Sequence, residues 1–379
     1  MAERTQATAD VHHEPADSSG TPLTGTSDAV RRDRGERRLR RGHRSLWRMA
    51  ATRLVALPAS LFVLATICFF LVSLMPGDPA VTIAGQNAAP EDIEAVRSRL
   101  GMDRSLWDQY TSYLGSILRG DLGQSYYSNQ SVAEELFRRL PATLELIVLA
   151  LALASVVGFG IGAFAAYHRG RPLDGAARTA VTVVQSIPDF VLALFFIYVG
   201  FYLLGIAAAP TGRLPIGETG FEPITGFVLI DGLLLGDAHI LNSGIARLTL
   251  PVLTLGIVYS AYFAKTTRAA LSAGLASRQV EFARACGLPE RQVLRYAWLQ
   301  GRPPIITYFA VLLGFLIGGA AIIETIFAWQ GAGQWALQGI LNKDVPIIQG
   351  FVLLTGTITI VIYLGLDLLL NAIDPRTKK

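Results

Sequence analysis

Long apolar runs separated by polar, arginine-bearing stretches set the pattern of this 379-residue chain. A hydrocarbon core of roughly 30 Å takes about 20 helical residues to cross. Runs of that length lie at Leu54–Leu74, Thr143–Tyr167, Thr179–Ile206, Leu248–Leu271, Ile305–Phe327 and Gln349–Ala372. The pattern predicts an all-α membrane protein with six transmembrane helices. A further apolar piece, 226–236, is too short to span and is expected to be re-entrant or surface-lying. Residues 1–45 have almost no large apolar side chains, cannot bury enough surface to offset ordering, and are expected to form a disordered tail.

Composition supports the membrane assignment. Charged residues make up 16% of the chain, against about 25% in ordinary soluble domains. The net charge is only +4, but its distribution is lopsided. Ten arginines from Arg31 to Arg53 precede the first span, a natural cytoplasmic anchor on anionic lipid. Every second loop then carries the same bias: Arg169, Arg171 and Arg178 against Asp174, and Arg278, Arg284, Arg291, Arg295 and Arg302 against Glu281 and Glu290. The chain ends in Arg376, Lys378 and Lys379, whereas 76–142 holds more acids than bases. Positive charge stays inside, so both termini are expected in the cytoplasm. The expected organisation is a tail at 1–45, a basic anchor and first span at 46–75, an extracytoplasmic segment at 76–142 and a helical core at 143–379.

Candidate chemistry is sparse. Cys68 and Cys286 stand in unlike contexts, and His12-His13 reads as a solvated pair, so no disulfide framework or metal site is expected. No phosphate-binding loop, zinc-protease or serine-hydrolase motif occurs, and no catalytic residue is assigned. Gly158, Gly160 and Gly162, with Gly314, Gly318 and Gly319, supply the small-residue spacing that lets helices approach. Pro188 and Asp189 fall mid-span; Asp189 either lines a translocation path or hydrogen-bonds a neighbouring helix. Glu324 and Asp367, at opposite ends of the last two spans, are expected to be satisfied at helix interfaces. With so few ionisable groups at depth, a self-contained proton relay is poorly supported, and uphill transport would need energy from outside the chain.

One polar stretch could receive it. Glu281 to Pro304, within a loop at 273–304, reads as a helix, a break at Gly287, and a second helix ending at Pro303-Pro304. Phe282 and the neighbouring alanines offer a small apolar knob, and Gly287 permits a turn that a side chain would obstruct.

Glu281-Phe282-Ala283 followed by Gly287 resembles the EAA motif, E-A-A-x-x-x-G, of membrane subunits of bacterial ABC importers, with Phe282 replacing the first alanine. The tail of the motif departs too: Ala297-Trp298-Leu299-Gln300 stands there and the prolines come late. Other stretches resemble the subfamily importing di- and oligopeptides and nickel. Among them are Pro76-Gly77-Asp78-Pro79, Gly101-Met102-Asp103-Arg104, Gly120-Asp121-Leu122-Gly123-Gln124-Ser125, Ser186-Ile187-Pro188-Asp189-Phe190, Leu250-Pro251, Glu324-Thr325-Ile326-Phe327 and Asp374-Pro375-Arg376. The likeness runs from about residue 50 to the end and is to the first of two paired permeases.

The resemblance implies a type I ABC importer permease fold. It implies coupling to ATP-binding subunits through Glu281, Phe282, Ala283 and Gly287, and a pathway shared with a second permease near Pro188 and Asp189. An extracytoplasmic solute-binding protein would meet 76–142 near Asp121 and Gly123. The chain itself would hold no cofactor, with ATP and Mg on two partner ATP-binding subunits. Membrane lipid is the other expected partner, and nucleic acid is not one. Nickel or another small solute remains an alternative cargo. On residues alone, an ion-coupled secondary transporter and a membrane-anchored scaffold binding nucleic acid through the arginine run also stay open.

Overall fold

The computed structural model describes residues 57–85, 87–214 and 223–373. The tail, the arginine run, the start of the first expected span and the Asp374-Pro375-Arg376 end lie outside these residues, as does the side chain of Asp367. The described chain is helical, with one isolated antiparallel bridge between Gln124 and Ser131. It opens with α1, the apolar helix Leu57–Ser73. Three short helices follow: α2 (Pro79–Ala84), α3 (Pro90–Arg99) and α4 (Leu106–Leu118). The core comes next, with α5 (Val132–Tyr167), α6 (Pro172–Ser186), α7 (Asp189–Phe196, continued by π-type turns to Leu203), α8 (Val228–Leu235) and α9 (Ala238–Leu275). It closes with α10 (Arg278–Ala285), α11 (Glu290–Ile326), α12 (Ala332–Leu341) and α13 (Val345–Ile373).

Four helices, α5, α9, α11 and α13, are long and apolar enough to cross a membrane, and the α6–α7 pair brings the number to five. α1 is apolar but has only 17 described residues. The buried core lies where α5, α9 and α11 meet, around Leu146, Ile147, Leu255, Leu316 and Ile323. Two glycines let α5 and α9 cross closely. A Cβ on Gly158 would come within 2.6 Å of the Ser260 carbonyl oxygen, and one on Gly162 within 2.6 Å of that of Ala264. The small-residue face of α5 thus packs on α9 of the same chain. Gly160, Gly314 and Gly318 meet no such neighbour.

The helices outrun the apolar stretches that announce them. At 1.5 Å per residue the 38 residues of α9 extend ~57 Å, well beyond a bilayer core. Its start is capped by Asp237, whose carboxylate accepts the His239 and Ile240 amides at 2.9 and 3.2 Å. α11 likewise begins at Glu290 and runs through Pro303-Pro304, so the expected helix end there is corrected. The two prolines remove intrahelical hydrogen bonds but lie beside packed Gly301 and Ile305, which hold the helix in line.

The third expected span is not one continuous helix. α6 and α7 meet at 93° across Ile187-Pro188. The cause is local: a proline disfavours helical geometry in the residue before it, and Ile187 is extended at φ −90°, ψ 123°. Within 226–236 the chain forms α8, ended by Gly236 and folded against the start of α9. There a Cβ on Gly244 would lie 2.8 Å from Val228 Cγ1.

The segment between α1 and α5 is anchored twice. Tyr110 of α4 shares a hydrogen bond with Thr66 of α1 (2.8 Å), within a ring cluster that includes Phe69, Phe70 and Tyr113. Farther along, Ser125 Oγ donates to buried Asp344 at 2.6 Å, and the Tyr127 amide donates to the same oxygen at 3.1 Å.

Candidate functional site

The helix–turn–helix foreseen around Gly287 is formed by α10 and the start of α11. Ser277 caps α10, its hydroxyl accepting the Val280 amide at 3.4 Å. Gly287 ends it with φ +68°. The Leu288 amide then bonds the Ala283 carbonyl and the Gly287 amide that of Arg284, a Schellman motif. A Cβ at Gly287 would meet nothing within 4 Å, so the requirement is one of backbone conformation rather than space.

α10 has two unlike faces. Val280 and Ala283 are buried against Val293 and Ala297 of α11. Phe282 is 71% exposed, with Glu281 and Arg284 exposed beside it. Ala283 therefore belongs to the inner face, and the large exposed apolar side chain of α10 is Phe282, with Ala285 exposed near it. The base is stiff: a Cβ on Gly274 of α9 would sit 2.4 Å from the Ala297 carbonyl oxygen, so the helices on either side of α10 touch backbone to backbone.

Pro188 and Asp189 sit at the α6–α7 break and border a cavity of about 520 Å³. α9 and α11 supply the opposite wall, including Tyr259, Tyr262, Tyr308 and Phe315. Asp189 Oδ1 accepts the Phe190 amide at 2.8 Å. Asp121 and Gly123 are elsewhere, in the loop before α5. Asp121 is exposed and accepts the Gly123 amide at 2.8 Å, while Gly123 (φ +82°) lies close to Pro346. Among the described residues, no hydrogen bond joins these two to the cavity or to α10.

At the α12 end of the bundle lies a set of buried carboxylates, of which only Glu324 was foreseen. Glu324 is fully buried; Thr143 Oγ1 donates to it at 2.5 Å and the Gln334 amide at 2.7 Å, holding the first turn of α12. Glu145 accepts the Leu229 and Val228 amides at 2.8 and 3.2 Å and pairs with Arg213 at 3.2 Å, fixing α8 against α5. Asp231 accepts the Thr225 amide and hydroxyl at 2.8 and 2.6 Å. Asp344 accepts Ser125, as above. The acids are spent on capping backbone amides, and among the described residues no group of three or more His, Cys, Asp or Glu is disposed to hold a metal ion.

Comparison with known proteins agrees with this architecture. Residues 158–379 match the family described as binding-protein-dependent transport system inner membrane component, and 46–147 match the N-terminal region of such membrane components. The di/tripeptide transport system permease protein DppB of Pseudomonas aeruginosa is 34% identical over 330 residues, 86% of this chain and 98% of the relative. The probable D,D-dipeptide transport system permease protein DdpB of Escherichia coli is 37% identical over 311 residues, 82% of this chain and 91% of the relative. The glutathione transport system permease protein GsiC of Shigella flexneri is 32% identical over 328 residues, 86% and 97% respectively. A multi-pass helical bundle, a helix–turn–helix between two of its long helices and near full-length kinship lead to one assignment: the chain belongs to the inner membrane components of bacterial binding-protein-dependent transport systems.

Proposed function

We infer that this chain is the permease subunit of an ATP-driven importer of small peptides. The observation that carries it is the two-faced α10, rooted on α11 by Val280 and Ala283 while Phe282 projects 71% exposed. An exposed aromatic on a short, rigidly seated helix is a plug for another protein's groove. ATP-binding subunits, carrying ATP and Mg, would close around Phe282 and Glu281 and push α9 and α11 as a body. Ala283 and Gly287 would set the plug's position instead of touching the partner.

The topology follows from the same inference. α1 counts as the sixth span, and both termini and α10 lie in the cytoplasm. The segment 76–142 then faces outward as the seat of a solute-binding protein, with Asp121 at an exposed loop. A second permease completes the pathway along the α6–α7 break. Small peptides are the cargo favoured by the kinship, since the relatives above are named for di/tripeptide, D,D-dipeptide and glutathione transport.

The test is uptake of a labelled dipeptide into proteoliposomes holding the complete complex. The expected result is uptake that requires ATP and the binding protein and survives collapse of ion gradients. Uptake driven by an ion gradient without ATP would overturn it.

A further inference from the structure

We propose that the cavity at the α6–α7 break is a subsite for the backbone of the passing peptide, in which Asp189 receives the α-ammonium group and Gln185 an adjacent carbonyl. This rests on the peptide-import assignment and adds a chemistry to it. Asp189 Oδ1 is engaged by the neighbouring Phe190 amide. Its second oxygen has no hydrogen bond or salt bridge among the described residues, and no basic side chain lines the cavity. A carboxylate within a membrane-spanning segment is costly without a cation or water to face.

The second observation is independent. Gln185 Nε2, on the last turn of α6, is buried at the cavity wall and has no hydrogen-bond partner. A buried amide donor left unmade is expensive, and a turn of the Gln185 side chain into the cavity it lines would bring that donor to a ligand oxygen. A free donor and a free anion on either side of Ile187-Pro188 match the carbonyl and ammonium at the start of a peptide. Tyr259, Tyr262 and Tyr308 across the cavity add aromatic faces that attract an ammonium group and tolerate varied side chains. The volume, about 520 Å³, lies within the ~300–1,000 Å³ range of small-molecule sites. Phe315 at the rim is 65% exposed, so the cavity opens on the flank of the bundle where a second permease would close it.

The experiment compares Asp189→Asn, Asp189→Glu and wild type in proteoliposomes of the complete complex, with dialanine as the probe. The expected result is a loss of at least tenfold in kcat/KM for Asp189→Asn, recovery to within about threefold for Asp189→Glu, and unchanged co-purification of the second permease. Equal uptake by Asp189→Asn would overturn the subsite. So would loss of the second permease from that variant, which would show that a partner's basic residue occupies Asp189. No dialanine uptake by wild type would instead overturn the peptide assignment, and the subsite with it.

Discussion

Arg268 grips Asp174 through two hydrogen bonds, Nε to Oδ1 at 2.6 Å and Nη2 to Oδ2 at 2.8 Å, and so ties the first turn of α6 to the last two turns of α9. Asp174 is 3% exposed and Arg268 25%, and the Gly170 amide also donates to the carboxylate at 3.2 Å. α6 has few buried residues of its own, so this fork is its main attachment. Arg268→Ala should lower the unfolding midpoint, because it removes both hydrogen bonds of the fork and leaves α6 held by fewer contacts. Arg268→Lys should recover only part, since an ammonium cannot bind both oxygens in one plane. Thermal unfolding in detergent checks both; an unchanged midpoint for Arg268→Ala would contradict the clamp.

Glu324 should behave as a cap. Thr143 Oγ1, donating to Glu324 at 2.5 Å, also accepts the Ala332 amide at 2.8 Å, so one removal loosens several bonds. Glu324→Ala should cost roughly 2 kcal/mol or more and speed amide exchange at 332–336, while Glu324→Gln keeps most of the protection. Uniform exchange changes across the protein would show that the effect is not local.

Asp78 supplies a pH dependence outside the spans. Its hydrogen bond from Arg97, more than any other influence, holds its carboxyl below the usual range. A depressed folded-state pKa means stabilisation that is full above the unfolded value of about 4 and lost as pH falls through the folded one. Amide exchange in α2 and α3 should therefore rise below about pH 4. Asp78→Asn should flatten that rise, and an identical profile in the variant would reject the link.

Orientation has its own probe. Cys68 is buried and Cys286 exposed beside Gly287. With α10 in the cytoplasm, a membrane-impermeant thiol reagent should label Cys286 in inside-out vesicles and leave intact cells unlabelled. Labelling in intact cells would reverse the proposed topology.

The long spans were legible because an uninterrupted apolar run has few alternatives to a membrane helix. The extents of α9 and α11 were not, since the turns beyond the bilayer are polar and a polar helix gives no hydropathy signal. Pro303-Pro304 looked like a terminus because proline usually ends a helix, but flanking helical packing overrode it. Pro188 was visible in the middle of the third apolar run, but the 93° angle between α6 and α7 carries no signal in the hydropathy pattern. Phe282 and Gly287 were readable from motif and spacing, yet the inward turn of Ala283 is set by Val293 and Ala297, ten or more residues on. Glu145 and Asp344 escaped notice because their partners lie far along the chain, Leu229 and Ser125 respectively. Gln185, a neutral residue beside Ser186-Ile187-Pro188, carried no signal at all.

The central claim is that α10 transmits ATP hydrolysis to the pathway, and the ratio of peptide taken up to ATP hydrolysed tests it most directly. Gly287→Pro cannot hold φ +68°, and Glu281→Lys reverses the charge beside Phe282. Both variants should reach the membrane in normal amount, and both should hydrolyse ATP with uptake reduced at least tenfold. Wild-type uptake per ATP in both variants would contradict the account.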